Sequence, residues 1–91
     1  MNSKISLIVP VYNESDEVKN FFNDLESLNS NLINEIIFVD DCSEDNSLDL
    51  LKKKIDEFKS LSLNINFLLS SNLKNRGYGF SIKKGVNNSS N

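Results

Sequence analysis

A chain of 91 residues makes one domain at most and buries roughly 60–65% of its unfolded surface, so its core is small. A net charge of −3 excludes a nucleic-acid footprint, which wants a basic face, yet leaves room for a small anionic nucleotide held by local dipoles. One cysteine, Cys42, excludes an internal disulfide and a Cys-based zinc site and fits a reducing, cytoplasmic setting. No apolar run approaches the roughly 20 residues that span a bilayer. The first apolar stretch carries Lys4, is broken by Pro10 and precedes no small-residue cleavage site, so it reads as a strand and not a signal peptide.

Lys4 to Pro10 is a β-rich run with almost no alternation, the pattern of a strand covered on both faces. Pro10 cannot donate to a ladder and marks the expected strand end. Val18, Phe21, Phe22, Leu25 and Leu28 then recur at helical spacing, with Asn13 or Ser15 as the cap and Asp16 and Glu17 suiting the helix dipole. From Asn29 to Asn34 the pattern fails and a loop is expected. Glu35 to Asp41 is the second strand. Ser43 is the expected cap of a second helix, with Glu44 and Asp45 in its first turn and Leu48, Leu51, Ile55 and Phe58 on its apolar face. Lys52, Lys53 and Lys54 read as a solvated face. Leu63 to Leu69 is the third strand, Ser70 to Phe80 a loop, and Ser81 to Val86 a short third helix, which Gly85 either ends or lets pack closely.

The order β-α-β-α-β-α predicts a Rossmann-like α/β unit with a mostly parallel three-stranded sheet, right-handed crossovers and helices on both faces. Ligands of such sheets bind at the carboxyl ends of the strands. Every unusual polar cluster here follows a strand end: Tyr12-Asn13-Glu14, Asp40-Asp41-Cys42-Ser43 and Asn72 to Gly79. The turn after the first strand has no glycine, and Gly77-x-Gly79 has Ile82 where a third glycine belongs, so the dinucleotide fingerprint and the P-loop are both absent. What remains is an aromatic ring and acids around one cleft. Tyr12 either stacks on a base or packs on the first helix. Glu14, Asp40 and Asp41 either accept from a base N–H or ribose hydroxyls or serve capping and turns. Adjacent carboxylates repel, so something must compensate them. Gly77 and Gly79 supply either loop geometry or backbone N–H groups facing a diphosphate.

Ile8–Ser15 (IVPVYNES), Ile36–Ser47 (IIFVDDCSEDNS) and Asn75–Val86 (NRGYGFSIKKGV) together resemble the N-terminal half of family 2 glycosyltransferases, enzymes of the GT-A fold, and in particular their dolichyl-phosphate mannose synthase-like and undecaprenyl-phosphate sugar transferase-like members. The resemblance covers residues 1–91. It implies a nucleotide diphosphate-sugar donor, UDP- or GDP-linked, and sugar transfer with inversion to an acceptor hydroxyl or polyprenyl phosphate, as in cell-wall or polysaccharide biosynthesis. By position it implies that Pro10, Val11 and Tyr12 line the base pocket, that Glu14 reaches the nucleoside, that Asp41 bonds the base with Asp40 beside it, and that Asn72, Gly77 and Gly79 border the donor. Cys42 stands where glycine or another small or polar residue is common in the family, and Phe80 where a small residue is common. The family's Asp-x-Asp, which holds a divalent cation (Mg or Mn), does not occur after Gly85, nor does its catalytic base. The resemblance therefore implies a fragment that binds nucleotide weakly and catalyses nothing alone, from a parent at the cytoplasmic face of a membrane though this chain carries no anchor. Two readings compete: a flavodoxin-like or receiver-like binding module, and an inactive remnant.

Overall fold

The apolar runs become parallel strands and the amphipathic runs become helices. The structure, a computed structural model, describes residues 5–27, 33–61 and 65–90. In chain order the elements are β1 (Ile5–Val11), α1 (Ser15–Ser27), β2 (Ile33–Asp40), α2 (Ser47–Lys59), β3 (Asn66–Ser71) and α3 (Tyr78–Asn88). The sheet order is β1-β2-β3, all parallel. This is the Rossmann-like half expected of a GT-A fold. It also removes the flavodoxin-like reading, because that order places β1 between β2 and β3, whereas here β2 is central.

The central strand explains the burial. Ile36, Ile37, Phe38 and Val39 are each no more than 1% exposed, because helices cover both faces. Helices α1 and α2 pack side by side. Val18, Phe22, Leu25, Leu51, Ile55 and Phe58 from these helices meet Ile36, Phe38 and Phe67 of the sheet. Helix α3 crosses the opposite face over β1 and β2. There the approach is close: a Cβ built on Gly85 would lie 2.4 Å from Ile8 Cγ2. Gly85 thus sits inside α3 and lets it pack, and does not end it. Gly85→Ala is expected to destabilise by about 1–3 kcal/mol, since overpacking against a stiff β-branched side chain outweighs the ~1 kcal/mol gained in helix propensity. Denaturant unfolding checks this, and Ile8→Ala in the same chain should offset part of the loss.

Several boundaries differ from expectation, each for a physical reason. Pro10 lies within β1, paired with Val39, and does not end it. Val11 O accepts from Asp41 N at 2.8 Å, so Val11 faces β2 and the N–H that Pro10 lacks would face the free edge. β2 begins at Ile33, inside the expected loop; residues 29–32 lie outside the described residues. β3 runs on to Ser71 because Ser70 and Ser71 pair with Val39 and Asp40; main-chain pairing does not need apolar side chains. Its expected start at Leu63 lies outside the described residues, as do Lys4 and Leu28. α2 begins at Ser47, not after Ser43, and its N-cap position, Asn46, makes no side-chain cap bond. α3 begins at Tyr78 and takes in Gly79 and Phe80 from the expected loop. Lys52 and Lys53 are exposed as expected, and Lys54 pairs with Glu57 at 3.7 Å, a surface pair of little weight.

Candidate nucleotide site

The three loops at the carboxyl ends of the strands are bound into one unit by hydrogen bonds between them. The loop after β1 turns on Asn13, whose φ of 50° is left-handed, a conformation that Asn tolerates. Its side-chain oxygen accepts from Glu44 N at 2.7 Å and Asp45 N at 3.3 Å, and its own N–H donates to Ser43 Oγ at 3.0 Å. Glu14 N donates to Ser47 Oγ at 3.0 Å, and Glu14 O accepts the first turn of α1 from Val18 N at 2.9 Å. Neither Asn13 nor Ser15 is the device that organises this helix start. Asp45 bridges instead, accepting from Ser47 N at 2.9 Å and from the Ser15 backbone. Bonding to Ser47 first, and to Ser15 as well, holds its carboxyl below the ordinary value despite some burial.

The two adjacent acids are compensated separately. Asp40 accepts from Ser43 N at 3.0 Å and Ser43 Oγ at 2.5 Å, which makes Ser43 a turn residue. Asp41 is 3% exposed. It accepts from Asn72 Nδ2, Arg76 N and Gly77 N, each at 2.7 Å. Burial pushes its carboxyl up, but the bonds from Asn72, Arg76 and Gly77, with the Arg76 charge, outweigh burial and hold it below the ordinary value. A carboxylate offers about four acceptor positions, so three are occupied and one remains on Oδ2.

Asn72 is turned inward and its amide is spent. Nδ2 donates to Asp41 and, at 3.2 Å, to Ser81 Oγ; Oδ1 accepts from Lys84 Nζ at 2.9 Å. Gly77 has φ 87°, which favours glycine, while Gly79 has open space around it and an ordinary backbone. The Gly77 N–H is taken by Asp41, so it does not face a diphosphate. Arg76 lies with its guanidinium 5.3 Å from the Phe80 ring centre. Tyr12 is half-buried, and its ring meets no other aromatic ring among the described residues. Pro10, Val11 and Glu14 border a groove of about 300 Å³ between the free edge of β1 and α1, floored by Val9, Phe21 and Phe38.

Two features of the site escape sequence reasoning. Tyr78, assigned to a loop, heads α3, and its hydroxyl donates to Glu14 Oε1. That bond to Glu14, aided by burial, raises the phenol above its ordinary value. Ser47, given no role of its own in the sequence reading, is fully buried and anchors Glu14. Cys42 has φ 60°, and its thiol lies 3.6 Å from Leu73 O. That φ gives the physical reason why glycine suits this turn. Cys42→Gly is expected to be neutral to stabilising by up to about 1 kcal/mol, since relief of left-handed strain is partly cancelled by the freer unfolded chain. Cys42→Val should cost more, and thermal unfolding of the pair checks the order.

Comparison with known proteins agrees with this fold. The family model Glycosyl transferase family 2 matches residues 6–91. No curated protein matches. Among solved structures, the mannosyltransferase PcManGT from Pyrobaculum calidifontis, in complex with GDP-Man and Mn2+, superposes with a TM-score of 0.83 at 15% identity. The alignment covers 99% of this chain and 25% of that one, so the chain spans a quarter of its neighbour's length. At this identity the likeness speaks for the fold alone.

Proposed function

Because the chain belongs to glycosyl transferase family 2, we propose that it forms the donor-nucleotide half of an enzyme that transfers a sugar from a nucleoside diphosphate-sugar. The observation that carries this reading is the placement of Tyr12, Glu14 and Asp41 on loops at the carboxyl ends of adjacent parallel strands, cross-linked by hydrogen bonds. Tyr12 stacks on the base. Asp41 offers its remaining acceptor position to a base N–H. Glu14 reaches the nucleoside, and Pro10 and Val11 shape the wall beside it. Since Gly77 N is occupied, the N–H groups for a diphosphate are those of the first turn of α3, at Tyr78, Gly79 and Phe80, which have no intrahelical partner by position. Asn72 and Asp40 hold the loops that present these groups.

In the proposed reaction an acceptor oxygen forms a bond to the sugar's anomeric carbon as the bond to the diphosphate breaks. The configuration inverts, the nucleoside diphosphate leaves, and the acceptor's proton passes to a base. No residue of this chain is assigned that base. Among the described residues, no group of three or more Asp, Glu or Cys side chains is placed to hold a metal ion, and Asp40 and Asp41 are engaged elsewhere. These residues do not fit the family's divalent cation by themselves. GDP is the preferred nucleotide, since the neighbour binds GDP-Man; UDP is the alternative. A dolichyl-phosphate mannose synthase-like acceptor and a role in polysaccharide synthesis belong to the same proposal, as does a cytoplasmic location, where such donors are made. No helix among the described residues is long and apolar enough to cross a membrane; a membrane association belongs to the proposed parent.

Thermal unfolding with added GDP or UDP tests the reading. A nucleotide at 100 times its Kd is expected to stabilise the chain by about 2.7 kcal/mol. Tyr12→Ala should weaken that binding by about 1–3 kcal/mol with little change in the unliganded midpoint. A chain that neither nucleotide stabilises at millimolar concentration would refute it.

A further inference from the structure

We propose that Tyr78 is a positioning residue that fixes the Glu14 carboxylate for a ribose hydroxyl, and so makes the site selective for ribonucleotides; this rests on the donor-nucleotide reading above. Glu14 is held from three directions. Its N–H is bound by Ser47 of α2 and its carbonyl by Val18 of α1, while the Tyr78 hydroxyl holds Oε1 of its side chain. Only the side chain has freedom left to lose, and Tyr78 removes it before any ligand arrives. Ordering a glutamate side chain carries a substantial entropic cost, and preorganisation spares the ligand that cost.

Among the described residues, Oε2 of Glu14 has no hydrogen-bond partner, which leaves it room to accept from a hydroxyl. Tyr78 is also 54% exposed and lies at the mouth of the site, so burying its ring is not its purpose. It follows directly after Gly77, whose N–H holds Asp41. The first turn of α3 therefore braces both acids, one through the backbone of Gly77 and one through the phenol of Tyr78. A sugar lacking hydroxyls cannot use a carboxylate so arranged, and a buried or half-buried carboxylate left without its partner disfavours such a ligand.

The test is a comparison of GDP with 2′,3′-dideoxy-GDP, or the uridine pair if uridine binds better, on the unsubstituted chain and on Tyr78→Phe. Binding is read by isothermal titration or chemical-shift titration. The unsubstituted chain is expected to prefer the ribonucleotide by roughly tenfold, the worth of a hydrogen bond to a charged group. Tyr78→Phe should weaken the ribonucleotide by about fivefold and leave the dideoxy analogue unchanged. Glu14→Ala should erase the preference, with Tyr78→Phe adding nothing further in the double variant. Equal weakening of both ligands by Tyr78→Phe, or an unaltered preference, overturns the inference while leaving the site reading intact. So does a lack of preference in the unsubstituted chain. Absence of all nucleotide binding overturns both.

Discussion

Asp41→Ala is expected to destabilise the protein by about 3–5 kcal/mol. The side chain accepts from two backbone N–H groups, of Arg76 and Gly77, and from the Asn72 amide. Its removal leaves these donors without their partner, at roughly 1–3 kcal/mol for each that stays buried, and water entering the gap recovers part. For 91 residues total stability is roughly 5–14 kcal/mol, so the loss is a large share of it. Asp41→Asn retains one carbonyl oxygen and should cost about 2 kcal/mol, because its amide meets the Gly77 N–H donor to donor. Urea unfolding at constant m-value separates the two. Because Asp41 holds the loop as well as the proposed base, a loss of nucleotide binding in either variant has two causes. Tyr12→Ala is the cleaner probe of the site.

Phe22→Ala is expected to cost about 3–5 kcal/mol, the range for truncating a fully buried aromatic. Phe22 is 1% exposed and is the hub of the aromatic core. Its ring stacks on Phe38 at 5.3 Å and meets Phe58 edge-on at 5.0 Å, with Phe21 edge-on at 5.6 Å. It thereby joins α1 to β2 and α2. In a domain this small, the remaining buried residues offer little to compensate. Phe22→Leu leaves a smaller cavity and should lose less. The measurement is again the denaturation midpoint, and a loss below about 1 kcal/mol would mean that α1 closes into the space.

The order of the elements is legible in the sequence because period and composition change sharply at each junction. Val18, Phe22 and Leu25 mark one helix face, and Ile36 to Val39 can only be a strand covered on both sides. The site is legible to the extent that ligands favour strand ends, which singles out Tyr12, Glu14 and Asp41. What these residues touch is not legible. Asn72 looks like a loop residue in Ser-Ser-Asn, yet it turns inward because Asp41, Ser81 and Lys84 supply a partner for every polar atom of its amide. Ser43 has the composition of a helix cap, but Asp40 captures it first and α2 starts later. Tyr78 lies 64 residues from Glu14, and no local pattern signals that pairing. Cys42 is the converse case: the family resemblance puts glycine or another small or polar residue there, and the left-handed backbone favours glycine among these.

On this reading, the carboxyl ends of β1, β2 and β3 together form a nucleotide site. The most direct test is an amide-resolved NMR titration of the protein with GDP, followed by UDP. Shifts are expected to concentrate at Tyr12 to Glu14, Asp41 to Ser43 and Gly77 to Phe80, with Glu35 and the far ends of the strands unmoved. Shifts confined to Glu17, Asn20, Phe21 and Asp24 of α1, on the far side of the groove, or no saturable shifts with either nucleotide, would contradict it.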